Sequence, residues 1–379
     1  MLSRQYIKLD KEVINYYGIN ISKDFSSVLK SYSFDMIYVV CDENAYKIHG
    51  HNLTEQINQA GVSFYIIKLK SAESNKTFSS LEWLCNELIQ NGISKDSIIL
   101  GFGGGMICNL TGMAAALIFR GIRYIEVPTT FMGQTDSSLS NKQAINGKSG
   151  KNQIGTYYAP IFIWTDLTYI LTENINNIRA AFVEGIKNAL IYDSEVLPDL
   201  RSKLYQTEYS VQDLYNIYIC ITKSKNKILA KDPSEKESAV ILEYGHTIGH
   251  AVEFLSKDSI IHGEAVAIGM CIMATVSAEL GYLEYDSVQL HYELLLPFIS
   301  QNSMEHFCNI KAELILKVIM SDNKRNIEGV KYVLLEKIGK CLNDGEDYLV
   351  KIDESKIYYA IHNFQEKVKR ELYSDSFII

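Results

Sequence analysis

The sequence predicts an α/β N-terminal domain followed by a mainly α-helical C-terminal domain. In the first half of the chain, short apolar runs rich in β-branched residues alternate with segments of helical spacing. This alternation is typical of a mostly parallel sheet with crossover helices. From about residue 174 onward, long helical patterns dominate. A chain of 379 residues favours two domains, and we place them at residues 1–173 and 174–379.

The predicted N-terminal elements follow one another in the order that such a sheet requires. Strands are predicted at residues 35–41, 62–69, 97–100, 124–127 and 162–164, and helices at 77–90 and 109–120. The strand that ends at Cys41 runs into a predicted polar turn at residues 42–44. The later helices are predicted at 176–192, 211–229, 240–255, 263–280, 311–320 and 355–373, with a short strand at 332–335.

A glycine run, GFGGG at residues 101–105, follows the third predicted strand. Backbone N–H groups at such a strand-to-helix turn can approach a pyrophosphate closely. The run is not GxGxxG, because Met106 follows it, and no GK[ST] closes it as a Walker A motif. It predicts either a nucleotide site or a tight turn without a ligand. Its place at the carboxyl end of a strand favours the ligand.

Histidines and carboxylates cluster at residues 243–264. His246 and His250 are four positions apart, so on the predicted helix they share one face, and Glu243 joins that face. His262 follows, with Glu264 close behind it. The pattern indicates a metal site or an acid/base site. The alternative is a set of hydrogen-bonded core histidines. The motif is not the HExxH of metalloproteases, since Thr comes directly after His246.

Two further polar features have both a structural and a functional interpretation. Glu184 and Lys187 stand at i, i+3 on a predicted helix and form either a surface ion pair or a pair that points into a buried site. Residues 134–152 form a long polar segment that contains Asp136, Lys142 and Lys151. It is either an exposed loop or a functional one.

Composition excludes several classes of protein. Net charge is −8, and the absence of a long basic tract argues against a nucleic-acid partner. The seven cysteines are scattered without CxxC, which is typical of reduced thiols in a cytoplasmic protein. We find no signal peptide at the start of the sequence. The longest apolar run, at about residues 265–273, is too short to span a bilayer, so no membrane partner is expected.

Taken together, the motifs resemble those of sugar phosphate cyclases of the dehydroquinate synthase superfamily. The matching segments occur in the family's order: GGGMICNLTGMAAALIFRG (103–121), VPTTFMGQTDSSLSNKQAIN (127–146), SGKNQIG (149–155), FVEGIKNAL (182–190), EYGHTIGHAVE (243–253), HGEAVAIGM (262–270) and SDNKR (321–325). Each segment alone is weak evidence for the family, but the whole set is specific for it. The resemblance implies a Rossmann-like NAD domain, a helical metal domain, a sugar phosphate substrate and a homodimer.

The resemblance also implies roles for individual residues. The implied ligands of a Zn²⁺ or Co²⁺ ion are Glu184, His246 and His262, which leaves His250 for proton transfer. The implied NAD contacts are Asp42, Asn44, Glu73, Lys76, Gly103, Gly104, Gly105, Asn109 (in place of a usual aspartate), Thr129, Thr130 and Lys151. The implied substrate contacts are Asp136, Lys142, Asn152, Lys187, Lys225 and Glu243, with Lys324 on the phosphate and Arg120 reaching it across the dimer.

The family's chemistry makes physical sense of these residue types. It implies transient oxidation of a ring hydroxyl by NAD, which acidifies the neighbouring C–H. β-Elimination of phosphate, re-reduction, ring opening and an intramolecular aldol closure then follow. A metal supplies Lewis acidity at the oxidised oxygen, and lysines stabilise the alkoxide, enolate and phosphate charges. The implied catalytic set is Asp136, Lys142, Lys187, Glu243 and His250, without a choice between Lys142 and Lys187 for each reacting oxygen.

One departure from dehydroquinate synthases selects a branch of the family. Those enzymes carry Arg and Asn, which hold a substrate carboxylate, where this chain has Ala239 and Glu243. A second carboxylate facing Glu243 would be repelled, so we expect a substrate without one. Glu243 and the segment SLSNKQAIN resemble the 2-deoxy-scyllo-inosose synthase branch, which cyclises glucose 6-phosphate in aminocyclitol antibiotic pathways. Valiolone-type cyclases usually lack the second His of GHTIGH.

Within that branch we assign Glu243 as the general base during phosphate loss, because the predicted helix places it one turn before His246. His250 would shuttle protons at ring opening and aldol closure. Two alternatives stay open. One is a 3-dehydroquinate synthase of the shikimate pathway, and the other is a metal-dependent alcohol dehydrogenase of related architecture.

Overall fold

A computed structural model of the chain describes residues 2–8, 12–148, 150–232, 235, 237–257, 259–320, 329–343, 345 and 347–372. The chain divides into two compact units. Unit 1 comprises Met1–Gly147, Asn152–Ile178 and Thr207–Thr222, and unit 2 comprises Lys148–Lys151, Arg179–Gln206 and Lys223–Ile379. A single domain boundary at residue 173 stays a prediction.

Unit 1 is built on a sheet of parallel strands. Its strands are β1 (Ser3–Lys8), β2 (Glu12–Gly18), β3 (Met36–Asp42), β4 (Ser63–Leu69), β5 (Ile98–Gly103), β6 (Arg123–Pro128), the hairpin β7 (Lys142–Ile145) and β8 (Ile154–Tyr157), and β9 (Phe162–Asp166). Its helices are α1 (Ser22–Leu29), α2 (Glu43–Gln59), α3 (Phe78–Gln90), α4 (Gly105–Leu117) and α5 (Phe131–Thr135). The sheet order is β1-β2-β9-β6-β5-β3-β4, and only the edge pair β1–β2 is antiparallel.

The strands of unit 1 are apolar on both faces, as a sheet covered on two sides requires. In β3, Ile37 and Val39 belong to one buried cluster, which also contains residues of α1 and α2. Tyr38 and Val40 belong to a second cluster, with residues of α3 and α4. Helices therefore cover both faces, and the predicted α/β class with crossover helices is confirmed.

The strand order changes direction beside β3. The chain passes from β3 to β4 on one side and then returns through α3 to β5 on the other side. Open α/β sheets bind ligands at the carboxyl ends of the strands at such a switch point. Asp42 ends β3 and Gly103 ends β5, so both lie at this edge.

Three local predictions for unit 1 are wrong in detail. Residues 42–44 are not a polar turn, because α2 begins directly after Asp42, whose side chain caps it. Helix α4 begins at Gly105 rather than at residue 109, and it ends at Leu117 rather than at 120. The segment 134–152 is no exposed loop over its first part, since it contains the end of α5 and all of β7, and Gln134 and Gln143 are buried.

Unit 2 is mainly helical, as predicted. Its helices are α6 (Ile175–Ile191), α7 (Leu197–Leu204), α8 (Val211–Leu229), α9 (His246–Ser256), α10 (His262–Glu279), α11 (Tyr285–Leu295), α12 (Gln301–Asn309), α13 (Ala312–Ile319) and α14 (Glu354–Leu372). α6 and α8 begin with residues of unit 1. The short strands are β10 (Lys331–Val333), β11 (Leu335–Lys337), β12 (Lys340–Cys341) and β13 (Leu349–Lys351). The strand predicted at 332–335 is thus two strands, which belong to separate two-stranded sheets.

The helix predicted at residues 240–255 is also wrong at its start. Ser238–Glu243 form a 3₁₀ helix, and Gly245 then adopts a left-handed conformation with φ of 77° before α9 begins at His246. Positive φ is a conformation that glycine adopts without steric cost. Glu243 is therefore not on the helix that carries His246 and His250.

Helix α10 lies in the middle of unit 2, with most of its residues buried. A helix that is apolar all round is typical of a core position. None of the described helices is both long enough and apolar enough to cross a membrane. All seven cysteines are free thiols.

Candidate metal centre and its surroundings

Three helices of unit 2 bring Glu184, His246 and His262 together. One ligand atom from each residue lies within 4.8 Å of the others. Glu184 Oε1 is 3.5 Å from His246 Nε2 and 3.7 Å from His262 Nε2. Glu184 belongs to α6, His246 begins α9 and His262 begins α10. The three residues are far apart in sequence, so only helix packing joins them.

Glycines allow these helices to pack closely. A Cβ atom on Gly263 would lie 2.0 Å from the carbonyl oxygen of Ala180, so α10 touches the backbone of α6 one turn before Glu184. A Cβ atom on Gly269 would lie 2.1 Å from the carbonyl oxygen of Gly245, at the start of α9. Any other residue at these two positions would push the helices apart.

Each imidazole is held by a hydrogen bond at its other nitrogen. His246 Nδ1 lies 3.2 Å from the carbonyl oxygen of Tyr244, and His262 Nδ1 lies 3.1 Å from Glu253 Oε2. Both acceptors require an Nδ1–H donor, which leaves the Nε2 lone pair facing Glu184. This tautomer and this orientation are what a metal ligand requires.

The side chain of Tyr244 is itself held by a hydrogen bond, which helps to fix the position of the Tyr244 carbonyl. The Tyr244 hydroxyl lies 3.1 Å from His291 Nε2, and His291 Nδ1 donates to the carbonyl oxygen of Ser287 at 2.6 Å. Burial lowers the pKa of His291 to about 4, so its ring is neutral and can accept at Nε2. His291 thus supports His246 through Tyr244.

The surroundings of the Glu184 carboxylate are suited to binding a cation. It is fully buried, and its Oε2 pairs with Lys187 on the same helix. Its Oε1, the atom between the two imidazoles, has no hydrogen-bond donor among the described residues. Two ligands about 2.1 Å from a tetrahedral metal stand about 3.4 Å apart, close to the distances found here. The two-histidine, one-carboxylate set therefore fits a divalent metal such as Zn²⁺ or Co²⁺.

Burial and charge move the pKa values of the two histidines in opposite directions. Burial, reinforced by the positive charge of Lys187, holds the pKa of His246 well below its usual value. Burial also opposes the charged form of His262, but Glu253 and Glu184 outweigh it and raise the pKa of His262. Burial would raise the pKa of Glu253, yet His262 and Lys151 lower it. Glu253 is therefore an anion in the folded protein.

Glu243 and His250 lie beside this centre. The His250 ring centroid is 5.3 Å from that of His246 and 5.8 Å from that of His262. The predicted shared face of the two α9 histidines is thus confirmed. Glu243 closes the 3₁₀ helix that precedes α9, and its negative charge favours the protonated form of His246.

The predicted lysines of unit 2 have different surroundings. Lys187 is buried and forms an ion pair with Glu184, so the interpretation of these two residues as a surface ion pair is wrong. Lys225, in α8, is also buried. Lys151 pairs with Glu253 Oε1 at 2.5 Å. Lys324 lies outside the described residues.

Several of the residues predicted to bind NAD lie at the switch-point edge of unit 1. Asp42 accepts the backbone N–H groups of Ala45 and Ser71. Gly103 to Gly105 lead from β5 into α4, where a Cβ on Gly103 would collide with Ile107. The other predicted residues of this edge are Asn44 in the first turn of α2, Asn109 in α4, Thr129 after β6, and Thr130, which caps α5.

A second group of predicted residues in unit 1 is joined through Asn146. Glu73 Oε1 accepts from Asn146 Nδ2 at 3.0 Å, and Asn146 Oδ1 accepts the Asn152 backbone N–H at 3.0 Å. Lys76 Nζ donates to Asn152 Oδ1 at 2.6 Å. The structure thus connects two predicted NAD residues with a predicted substrate residue.

The remaining predicted residues of unit 1 lie on other elements. Asp136 follows α5, and Lys142 begins β7 opposite Tyr157. Arg120 is exposed in the turn after α4, with φ of 66°.

Sequence reasoning missed Glu253, Tyr244 and Asn146. Glu253 had a usable signal, because it stands seven positions after His246 and three after His250, on the same helix face. Tyr244 acts through its backbone carbonyl, and no residue-type pattern reveals that. Asn146 sits at the end of a quoted motif, but its partners lie far away in the sequence.

Comparison with known proteins identifies the family. The 3-dehydroquinate synthase N-terminal model matches residues 66–180, and the C-terminal model matches residues 181–325. A 2-deoxy-scyllo-inosose synthase of Streptomyces ribosidificus is 32% identical over 350 residues, which cover 91% of this chain and 89% of that protein. A 3-dehydroquinate synthase of Clostridium acetobutylicum is 30% identical over 354 residues, which cover 93% and 94%.

A solved structure is similar over almost the whole chain. It is a 2-deoxy-scyllo-inosose synthase crystallised with carbaglucose-6-phosphate, NAD⁺ and Co²⁺. The two chains are 28% identical, the TM-score is 0.85, and the match covers 95% of this chain and 99% of the other. With the matched models, the relatives and the shared fold in agreement, the chain belongs to the dehydroquinate synthase family of sugar phosphate cyclases.

Proposed function

We propose that this protein is a cyclase of the 2-deoxy-scyllo-inosose synthase type, which converts glucose 6-phosphate into a carbocycle with release of phosphate. The observation that carries the proposal is the pair Ala239 and Glu243, which replaces the Arg and Asn expected for a carboxylate-bearing substrate. Glu243 lies beside the candidate metal centre, where a substrate carboxylate would be repelled. The similar synthase solved with carbaglucose-6-phosphate supports the choice of a sugar phosphate.

The proposed cofactors are NAD and one divalent metal ion, Zn²⁺ or Co²⁺. Glu184, His246 and His262 would hold the metal, and the switch-point edge of unit 1 would hold NAD. When bound, the metal supplies Lewis acidity at a substrate oxygen and NAD supplies reversible oxidation. Among the residues that the structure describes, none donates a hydrogen bond to Glu184 Oε1, and this supports the metal because a buried carboxylate oxygen without a partner is costly.

Glu243 is the proposed general base for the C–H proton next to the oxidised carbon. A carboxylate beside the metal-binding residues can take this proton when phosphate leaves. The support is its place directly before the Tyr244–Gly245 turn, which brings it close to His246 although the two are on different helices. His250 is the proposed proton shuttle, because its ring lies beside both ligand rings, with its centroid 5.3 Å from that of His246 and 5.8 Å from that of His262.

The remaining roles are proposed by charge and position. Lys187 is buried next to Glu184, so it is suited to stabilise a reacting oxygen near the metal, and Lys142 is proposed for the other reacting oxygen. The other proposed substrate contacts are Asp136, Asn152, Lys225, Lys324 on the phosphate, and Arg120. In a homodimer, which we also propose, Arg120 would serve the second copy, and its exposure is compatible with that task.

The direct test is incubation of the purified protein with glucose 6-phosphate, catalytic NAD and Co²⁺, with phosphate release measured. Release without net NADH supports the proposal. Phosphate release from the seven-carbon heptulosonate phosphate but not from glucose 6-phosphate would identify a dehydroquinate synthase instead. Net NADH production without phosphate release would identify an alcohol dehydrogenase.

The role of Glu243 has its own test. Glu243→Gln removes the base but keeps the shape of the side chain, so phosphate release is expected to fall by about 100-fold or more. Binding of Co²⁺ and NAD should stay within about twofold of wild type, since neither site contains Glu243 as a ligand. Glu237→Gln, an exposed change on the same segment, is the matched control. Normal turnover of Glu243→Gln would refute the assignment.

A further inference from the structure

We propose that Glu253 is a positioning residue for the metal ligand His262, and that Lys151 holds Glu253 in place for this purpose. The inference rests on the proposed metal centre. It assigns to Lys151 a contact within unit 2 that differs from the NAD contact that the family resemblance implies.

The side chains form a continuous chain of polar contacts. Lys151 Nζ lies 2.5 Å from Glu253 Oε1, Glu253 Oε2 lies 3.1 Å from His262 Nδ1, and His262 Nε2 lies 3.7 Å from Glu184 Oε1. The side chains of Lys151 and Glu253 are only 10% and 9% exposed. Both carboxylate oxygens of Glu253 are therefore engaged, which fixes the plane of the carboxylate.

The charges explain why both partners are present. A buried carboxylate without a cation is costly, and the nearest imidazole must stay neutral to bind a metal. Lys151 neutralises Glu253, so that Glu253 can accept the His262 Nδ1–H without taking that proton away. A hydrogen bond of this kind orients the ring and makes Nε2 a stronger donor to a metal.

The two histidine ligands differ in this respect. His246 donates to the neutral carbonyl of Tyr244, whereas His262 donates to the anionic Glu253. His262 is also the more exposed of the two, with 31% of its side chain accessible against 10% for His246. His262, the ligand ring with less packing around it, is thus the ring that the Glu253 carboxylate orients. This assignment predicts that metal affinity depends on Glu253.

The position of Lys151 supports the same conclusion. Residues Lys148–Lys151 belong to unit 2, although the residues on either side of them in the sequence belong to unit 1. The ion pair to Glu253, in α9, is a contact of this short segment within unit 2. An ion pair that served only to attach the segment would need one carboxylate oxygen, and the second oxygen goes to the ligand histidine.

The test measures Co²⁺ binding by chelator competition and by the visible absorption of bound Co²⁺, without substrate or turnover. Glu253→Ala is expected to weaken Co²⁺ binding by about 10- to 100-fold and to change the absorption spectrum. Glu253→Gln keeps an acceptor oxygen and should lose less than Glu253→Ala. Thermal unfolding of each metal-free variant shows whether it is folded.

Glu264→Gln is the matched control. Glu264 is buried in the same first turn of α10, but its carboxylate accepts from Ser300 N and Ser303 Oγ instead of from a histidine. The Glu264→Gln variant should bind Co²⁺ with the wild-type affinity, and the absorption spectrum of the bound Co²⁺ should be that of wild type. Equal losses in Glu264→Gln and Glu253→Ala would overturn the positioning role, and so would wild-type Co²⁺ binding in both Glu253 variants. Wild-type protein that binds no Co²⁺ would overturn the metal centre itself, and this role with it.

Discussion

A methyl group added at Gly263 should separate two of the proposed metal ligands. Gly263 follows His262 in the first turn of α10, and its Cα faces the backbone of α6 at Ala180, one turn before Glu184. In Gly263→Ala, the new Cβ would lie 2.0 Å from the Ala180 carbonyl oxygen, 2.6 Å from its carbonyl carbon and 3.0 Å from its Cα. These are backbone atoms, so no rotamer change can relieve the contact.

The size of the effect follows from these distances. Ordinary contact begins at 3.4 Å, so the two helices must move apart by about 1.4 Å along the contact with the oxygen. Overpacking of this kind costs about 1–3 kcal/mol, and the better helix propensity of Ala returns about 1 kcal/mol at most. Metal–ligand distances tolerate only about 0.2 Å, so the displacement should weaken Co²⁺ binding by at least about 10-fold, or about 1.4 kcal/mol.

The assay is the Co²⁺ affinity of the folded protein, measured beside its thermal unfolding temperature. Gly112→Ala in α4 is the matched control, because its Cβ would also collide, at 2.4 Å from the Gln143 side chain, but within unit 1. Both variants should unfold at lower temperature than wild type, and only Gly263→Ala should lose metal affinity. Gly263→Ala with wild-type Co²⁺ affinity would refute the account of how α6 and α10 form the centre.

Two further predictions concern buried carboxylates. Burial raises the pKa of Glu126 from 4.5 to about 8, so its contribution to stability is complete below pH 4.5 and is lost as the pH rises toward 8. The free energy of unfolding of Glu126→Gln should therefore rise relative to that of wild type between pH 5 and 8, by up to about 5 kcal/mol at about 1.4 kcal/mol per pKa unit. The measurement is the urea midpoint of both proteins across this pH range, and a difference between them that stays constant with pH would contradict the prediction. Asp232 accepts the backbone N–H groups of Glu237 and Ala239, so Asp232→Ala should cost about 1–3 kcal/mol while Asp232→Asn, which keeps an acceptor, should cost less in the same unfolding assay.

The predictions that succeeded rest on apolar patterns. The strands β3, β4, β5, β6 and β9 and eight of the described helices were predicted to within a few residues, because a strand buried on both faces is a continuous apolar run and a helix buried on one face has an apolar repeat of 3.6 residues. The elements that were not predicted include the strands β1, β2, β7 and β8 and the helices α1, α2, α5, α7, α11 and α12. Helix α2 starts with Glu43, Asn44 and Ala45 directly after a strand, and its capping by Asp42 resembles a polar turn in sequence.

The candidate site shows where such patterns end. The spacing of His246 and His250 correctly placed both on one face of α9. The same spacing argument placed Glu243 on that face, and this was wrong, because Gly245 has a positive φ and separates the 3₁₀ helix from α9. A helical repeat is informative only while the helix continues.

Residue types and their spacing along the chain determined by themselves the α/β and helical halves and the cluster of histidines. These are local or compositional properties, which a sequence states directly. Tertiary structure alone decided that Glu184 Oε1 faces two imidazoles, that Lys187 is buried, and that Glu253 contacts His262. Such contacts depend on how close α6, α9 and α10 approach one another, and that distance is set by backbone packing at glycines rather than by spacing in the sequence.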